Sequence, residues 1–352
     1  METKRLEIWA GPMFAWAGSI GDTARRIEDL GFDGMGFADT QIIYYDPYVA
    51  MGVAAQATKR LLLRTMVSTP VTRHPSVMAG AIATVQQESG GRAILGLGRG
   101  DSAAALIGER EFTSAAFERY IGQLQGYLRG EEVLLDNGFR SRSDWIGRGR
   151  NLPKVPIDVA ATGPRVIALG ARAADGVSFS IGAEPDRMAW AVNCARVARR
   201  QAGQDPATLR MGAFVPVFVH PDADYARQLI KGSIAPIARF SAMSPSASQG
   251  IRSEEDRAIV KEIGRVYDMA GHGHAEAAHI SVITDSFADR WAVAGPAGYC
   301  IERLAKLIAV GLDSIVIGLS TRGLNNTEVG EAWTRFAKEV MPALRSAREI
   351  PG

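Results

Sequence analysis

Eight short apolar runs, strung along the chain at wide spacing, constrain its fold more than any other feature: residues 6–9, 34–37, 61–67, 92–98, 156–160, 176–179, 212–219 and 314–319. They are apolar throughout rather than alternating, the pattern of strands buried on both faces of a parallel sheet. Between them lie stripes at helical spacing. Ile20, Ala24, Ile27 and Leu30 form one, Val77, Met78, Ala81, Ile82 and Val85 a second, Ile301, Leu304 and Ile308 a third, and Val329, Trp333, Phe336 and Val340 a fourth. Eight strands alternating with helices over 352 residues predict an α/β fold, a (β/α)8 TIM barrel, rather than a six-stranded doubly wound sheet.

A weak internal repeat supports the barrel. Three segments, "LGFDGMGF" from Leu30, "AADGVSF" from Ala173 and "VGLDSIVIG" from Val310, each carry an Asp where a helix stops and a strand begins. Two stretches exceed a strand–helix unit, at about 109–151 after the fourth strand and about 240–289 after the seventh. We expect one domain over residues 1–352, with both insertions rising from the C-terminal face of the barrel as walls of a substrate pocket.

Composition narrows the partners. Forty basic against thirty-eight acidic residues leave a net charge of +2, and no basic run could track a phosphate backbone, so nucleic acid is not an expected partner. Cys194 and Cys300 are far apart and form no CxxC pair, which fits a reducing compartment. The opening "METKRLEIWAGPMF" lacks a signal-peptide core and no apolar window has membrane-spanning length, so we expect a cytoplasmic protein with no membrane partner.

Four motifs carry candidate chemistry. "RAILGLGRGDSA" places Gly96, Gly98 and Gly100 two apart, which is not the GxGxxG of a dinucleotide fold. It reads either as backbone open to close approach by a flat ring or anion, or as a plain turn with Asp101 facing solvent. In "TPVTRHP", Arg73 and His74 could bind an anion or position a ring, though a His before Pro more often caps or packs. "AATGPRV" puts Thr162 and Gly163 at a helix start, a ready anion site or simply a good cap. His272, His274 and His279 look like a metal cluster, but their place in a late insertion favours a polar pocket lid or a surface helix, and no metal is expected. Neither a GxSxG elbow nor a phosphate-binding GxxxxGK[ST] loop occurs.

Taken in order, "GFDGMGFADTQ" from Gly31, "MVSTPVTRHPSVMAGAIATVQQESGGRAILGLGRGDSA" from Met66, "AATGPRVIALGARAADGV" from Ala160 and "DRWAVAGPAGYCIERLAKLIAVGLDSIVIG" from Asp289 resemble the bacterial luciferase-like superfamily. The resemblance covers most of the chain, and within the superfamily it is nearest to the methylenetetrahydromethanopterin reductase-like branch, which uses the deazaflavin coenzyme F420. It implies an oxidoreductase, often a homodimer, that acts on a small molecule and holds F420 at the C-terminal face of the barrel. FMN is the alternative cofactor, in a two-component monooxygenase that uses oxygen and receives reduced flavin from a separate reductase. A barrel that binds flavin without turnover is a third possibility.

Matched residue by residue, the resemblance implies a cis peptide between Met66 and Val67. It sets Asp39, Met66, Val67, Thr69, Arg99 and Gly100 around the ring and polyol, and Thr162, Gly163, Arg165 and Val166 on the phosphate side. Asp101 falls at the position of an acid/base carboxylate, and we expect it to be the catalytic proton donor. One departure matters. Thr40 stands where alcohol-oxidising members carry His, which turns the expectation toward reduction of a polarised C=N, C=C or C=O bond, or toward oxygenation.

Overall fold

The computed structural model describes residues 5–12, 18–146, 153–318 and 322–349. Residues 147–151 of the first expected insertion, Leu319 of the last expected strand and the chain ends lie outside them. Eight parallel strands close a ring: β1 (Glu7–Ala10), β2 (Gly34–Phe37), β3 (Leu62–Thr65), β4 (Ala93–Leu97), β5 (Ile157–Ala161), β6 (Gly176–Phe179), β7 (Arg210–Val219) and β8 (Ser314–Gly318). Each pairs with the next, and β8 returns to β1 with Ser314 opposite Glu7 and Ile317 opposite Ala10. Helices such as Pro75–Glu88 and Ala297–Ile308 cover the outside, and their inward stripes (Met78, Ile82 and Val85; Leu304 and Leu307) are buried. The fold is the expected TIM barrel.

The three repeated Asp residues have a shared physical role. Asp33, Asp175 and Asp313 each precede an even-numbered strand, and each carboxylate accepts a backbone N–H from the first or second residue of the strand beside it. Ile8 donates to Asp33 (2.8 Å), Ile157 to Asp175 (2.8 Å) and Met211 to Asp313 (2.9 Å). These N–H groups lie at the bottom of the ring, where the ladder has not yet begun to satisfy them. Between β3 and β4 the chain carries Arg92 instead, whose guanidinium gathers the carbonyls of Ala55, Thr58 and Leu61.

A ninth strand, Val293–Gly295, was not legible in the sequence. It pairs with Val217, Phe218 and Val219, the upper end of β7, above the stretch that pairs with β8. β7 outruns its neighbours, and three small residues suffice to cover the overhang. The first insertion carries a helix, Ser114–Leu128, and a small hairpin of Val133–Leu134 with Arg140–Ser141. Helix Ala223–Ala242 runs across the expected start of the second insertion at 240; helices Glu254–Val266 and Asp285–Trp291 follow within it.

Candidate active site

At the C-terminal end of the barrel a cavity of about 430 Å³ opens, with residues of both insertions among its walls. Its floor begins where β3 ends, and the expected strand to Val67 stops early. The Met66–Val67 peptide is cis, at the position the resemblance implied. Past it, Ser68 rejoins the ladder, donating its N–H to Gly96 O (2.8 Å) and accepting from Gly98 N (2.9 Å). A side chain at Gly98 would stand 2.7 Å from Val67 Cγ2, and one at Gly100 would collide with Thr69 Oγ1. Gly100 also sits at φ +103°, open to glycine and few others. The two-residue spacing of these glycines is therefore strand periodicity, and their missing side chains seat Val67 and Thr69. Gly98 and Gly100 both line the cavity, with backbone open to it, as well as making room for Val67 and Thr69.

Below this floor lies a polar layer. Asp39 is buried and accepts from Ser68 Oγ and from Arg73 Nη1. Arg73 also binds Asp46 (2.7 Å) and lies over the Tyr48 ring (4.9 Å), while the Tyr48 hydroxyl meets Ser68 Oγ at 2.9 Å. Burial pushes the Tyr48 hydroxyl up, so it stays protonated. Arg73, a candidate anion or ring ligand from sequence, is committed to two carboxylates. His74 caps helix Pro75–Glu88, its Nδ1 accepting from Ser76 N (3.3 Å). Thr40 faces Ser102 across 3.5 Å.

Asp101 opens a five-residue helix, Asp101–Ala105, beside the floor. Its carboxylate is ion-paired with Arg239 of helix Ala223–Ala242. Burial pushes the Asp101 carboxyl up from its ordinary range, while Arg239 pulls it back. Arg239 lies 5.2 Å over the ring of Tyr267, whose hydroxyl meets His272 Nδ1 at 2.8 Å; Tyr267 stacks on His279 at 4.1 Å. His272 lines the cavity, and its imidazole is pushed down to about 4 by burial and by Arg239, Arg322 and His279. Of the three histidines only His272 lines the cavity, and the described residues contain no group of three or more His, Cys, Asp or Glu side chains able to hold a metal. Arg99 lines the cavity while fastened to the first insertion, donating to Phe112 O (3.1 Å) and reaching Glu111 (3.4 Å).

The opposite end is the start of helix Pro164–Ala173. The Thr162 hydroxyl donates to Ser180 O (3.1 Å), and the Val166 N–H turns back to Gly163 O (3.1 Å). The amides of Gly163 and Arg165 have no protein acceptor among the described residues. Ser244 and Ala247 of the second insertion close over this end, so tightly that a side chain at Gly163 would stand 3.2 Å from Ala247 Cα. Buried Arg187 anchors that turn, donating to Ala247 O (3.0 Å) and Ser241 Oγ (3.1 Å).

All the residues singled out for ring, polyol, phosphate and proton transfer thus border one cavity. Arg239, Tyr267 and Ser68 were missed, since none sits in a motif whose spacing announces chemistry. The family model described as luciferase-like monooxygenase matches residues 12–314. A 5,10-methylenetetrahydromethanopterin reductase of Methanolobus tindarius is 28% identical over 306 residues, 85% of this chain and 89% of its own. An F420-dependent glucose-6-phosphate dehydrogenase of Beutenbergia cavernae is 28% identical over 307 residues, 85% of this chain and 82% of its own. The solved coenzyme F420-dependent tetrahydromethanopterin reductase from Methanopyrus kandleri superposes with a TM-score of 0.72 at 21% identity, covering 97% of this chain and 99% of that one.

Proposed function

The chain belongs to the luciferase-like monooxygenase family, and on that premise we propose that it is an F420-dependent oxidoreductase reducing a polarised C=N, C=C or C=O bond of a small molecule. The observation that carries this reading is one cavity with an uncharged floor at residues 66–68, an anion-ready helix start at Gly163 and Arg165, and the Asp101 carboxyl beside the floor. The F420-dependent relative weighs toward deazaflavin over FMN.

The residues present fit such a cofactor. Asp39, Met66, Val67, Thr69, Arg99 and Gly100 hold the ring and polyol side, with Asp39 acting from beneath through Ser68. Thr162, Gly163, Arg165 and Val166 receive the phosphate, where two free amides and the helix dipole favour negative charge. Bound reduced F420 supplies a hydride. Asp101 supplies the matching proton, since burial holds its carboxyl above the ordinary range even with Arg239 beside it. Thr40, a weak hydroxyl near Ser102, offers no base for alcohol oxidation.

One barrel domain with both insertions as pocket walls, in the cytoplasm, completes the reading; among the described residues no helix is long and apolar enough to cross a membrane. A separate enzyme returns the cofactor to its reduced form. The exposed apolar faces of helices Pro47–Ala57 and Pro75–Glu88 are the contact of a homodimer. Titration of the protein with F420 and with FMN, followed by absorbance and fluorescence, tests the proposal. Binding of F420 well ahead of FMN is expected. Tight FMN binding with no response to F420 gives the site to an oxygen-using flavin enzyme instead.

A further inference from the structure

Building on the oxidoreductase reading, we propose that the pocket selects an uncharged, largely apolar substrate and that His272 holds its carbonyl or imine acceptor. The wall toward β7 is made by Phe214, Pro216, Pro236, Ile237 and Phe240. Of the cations at the cavity, Arg165 stands at the Gly163 end, where the cofactor phosphate is assigned, and the others are paired. Arg239 is committed to Asp101, and Arg99 to Glu111 and the Phe112 carbonyl. A phosphate or carboxylate substrate would lose its hydration here with nothing to replace it.

Against this apolar wall His272 stands out as a hydrogen-bonding group held in place. Its loop is pinned by the segment after β8: Arg322 N–H donates to Gly273 O (2.7 Å), Ala275 N–H to Arg322 O (2.8 Å), and the Arg322 guanidinium to His272 O (3.2 Å). Its ring is oriented by Tyr267, itself packed on His279 and Arg239. With the Tyr267 hydroxyl donating to Nδ1 across 2.8 Å, the other ring nitrogen, Nε2, carries the imidazole hydrogen. Cationic neighbours and burial keep this imidazole neutral, and a neutral imidazole N–H can polarise an acceptor without giving up its proton. For an enone, the carbonyl oxygen accepts from His272, the β-carbon receives the hydride that reduced F420 supplies, and Asp101 provides the proton. The products are a saturated ketone and oxidised cofactor.

The test compares the native protein with His272→Ala, His272→Gln and Tyr267→Phe. Cyclohex-2-enone and glucose 6-phosphate serve as substrates with reduced F420, and phenol as an unreactive probe of the acceptor site. F420 affinity, measured separately by fluorescence, should stay within about twofold in every variant. Turnover of cyclohexenone but not of glucose 6-phosphate is expected, with His272→Ala raising KM and weakening phenol binding about tenfold, the usual scale for one hydrogen bond. His272→Gln, which keeps a donor, should recover part of both, and Tyr267→Phe should fall between. Preferred turnover of glucose 6-phosphate, or unchanged phenol affinity in His272→Ala, overturns the inference. Phenol affinity is read with and without F420, so a protein that ignores F420 refutes the cofactor assignment while still reporting on His272.

Discussion

The group that governs the proton of Asp101 lies 138 residues away in the chain, on a helix with no motif of its own. Asp101 itself could be singled out from "RGDSA" because its position matched a known carboxylate. Arg239 could not, because a single Arg on an amphipathic helix reads as solvent-facing, and only the tertiary crossing of helix Ala223–Ala242 over the Asp101–Ala105 turn brings the two together. The pairing has kinetic consequences with a defined sign. As a general acid Asp101 acts while protonated, so kcat should fall as pH rises through its folded pKa, which burial raises and Arg239 lowers. Replacing Arg239 by Met removes the lowering influence, and the alkaline fall of kcat should move to higher pH. Asp101→Asn should lower kcat by roughly 10² or more, the common scale for a lost general acid, with F420 affinity within a few-fold. Rate against pH for both variants checks this; an unmoved profile in Arg239→Met removes Asp101 from the proton-donor role.

Most of the elements were readable because burial on two faces leaves a continuous apolar run, and seven of the eight barrel strands need nothing more. The exceptions have physical causes. β3 ends at Thr65 although its apolar character continues, since the cis bond at Met66–Val67 turns the chain into the cavity; that bond came from family resemblance, and no composition rule would place it. Val293–Gly295 is too short and too small-residued to stand out. The Asp repeat was visible as spacing, but its meaning needed the neighbouring strand. That meaning is testable at Asp313, whose carboxylate accepts the Met211 N–H at the foot of β7. Asp313→Ala leaves that N–H without its side-chain acceptor, and should destabilise the fold by about 1–3 kcal/mol while leaving the distant cavity intact. Urea unfolding followed by circular dichroism, paired with F420 titration, would show lowered stability with unchanged affinity. Unchanged stability would make the repeat a coincidence of sequence.

At the scale of the molecule, the helix pair Pro47–Ala57 and Pro75–Glu88 leaves apolar side chains in the open. Pro47–Ala57 is apolar nearly all round, whereas a helix packed on one side only should be polar on the other. Val49 is 68% exposed and Val77 58%, with Tyr45 and Ile42 open nearby in the chain. Apolar surface of this kind marks an interaction site, and the commonest symmetric solution is a twofold pair in which the same patch meets itself. The cavity at the strand ends includes Ile43 and Tyr44, just before Pro47–Ala57, but neither Val49 nor Val77 lines it, so substitutions there can break the contact without dismantling the cavity. Sedimentation velocity at micromolar concentration should therefore find a dimer for the native chain. Val49→Asp combined with Val77→Asp should give a folded monomer, because a charge on each protomer must then be buried against its own copy. If the native chain sediments as a monomer, the apolar strip serves something other than self-association. If the double variant stays dimeric, the contact lies on another face of the barrel.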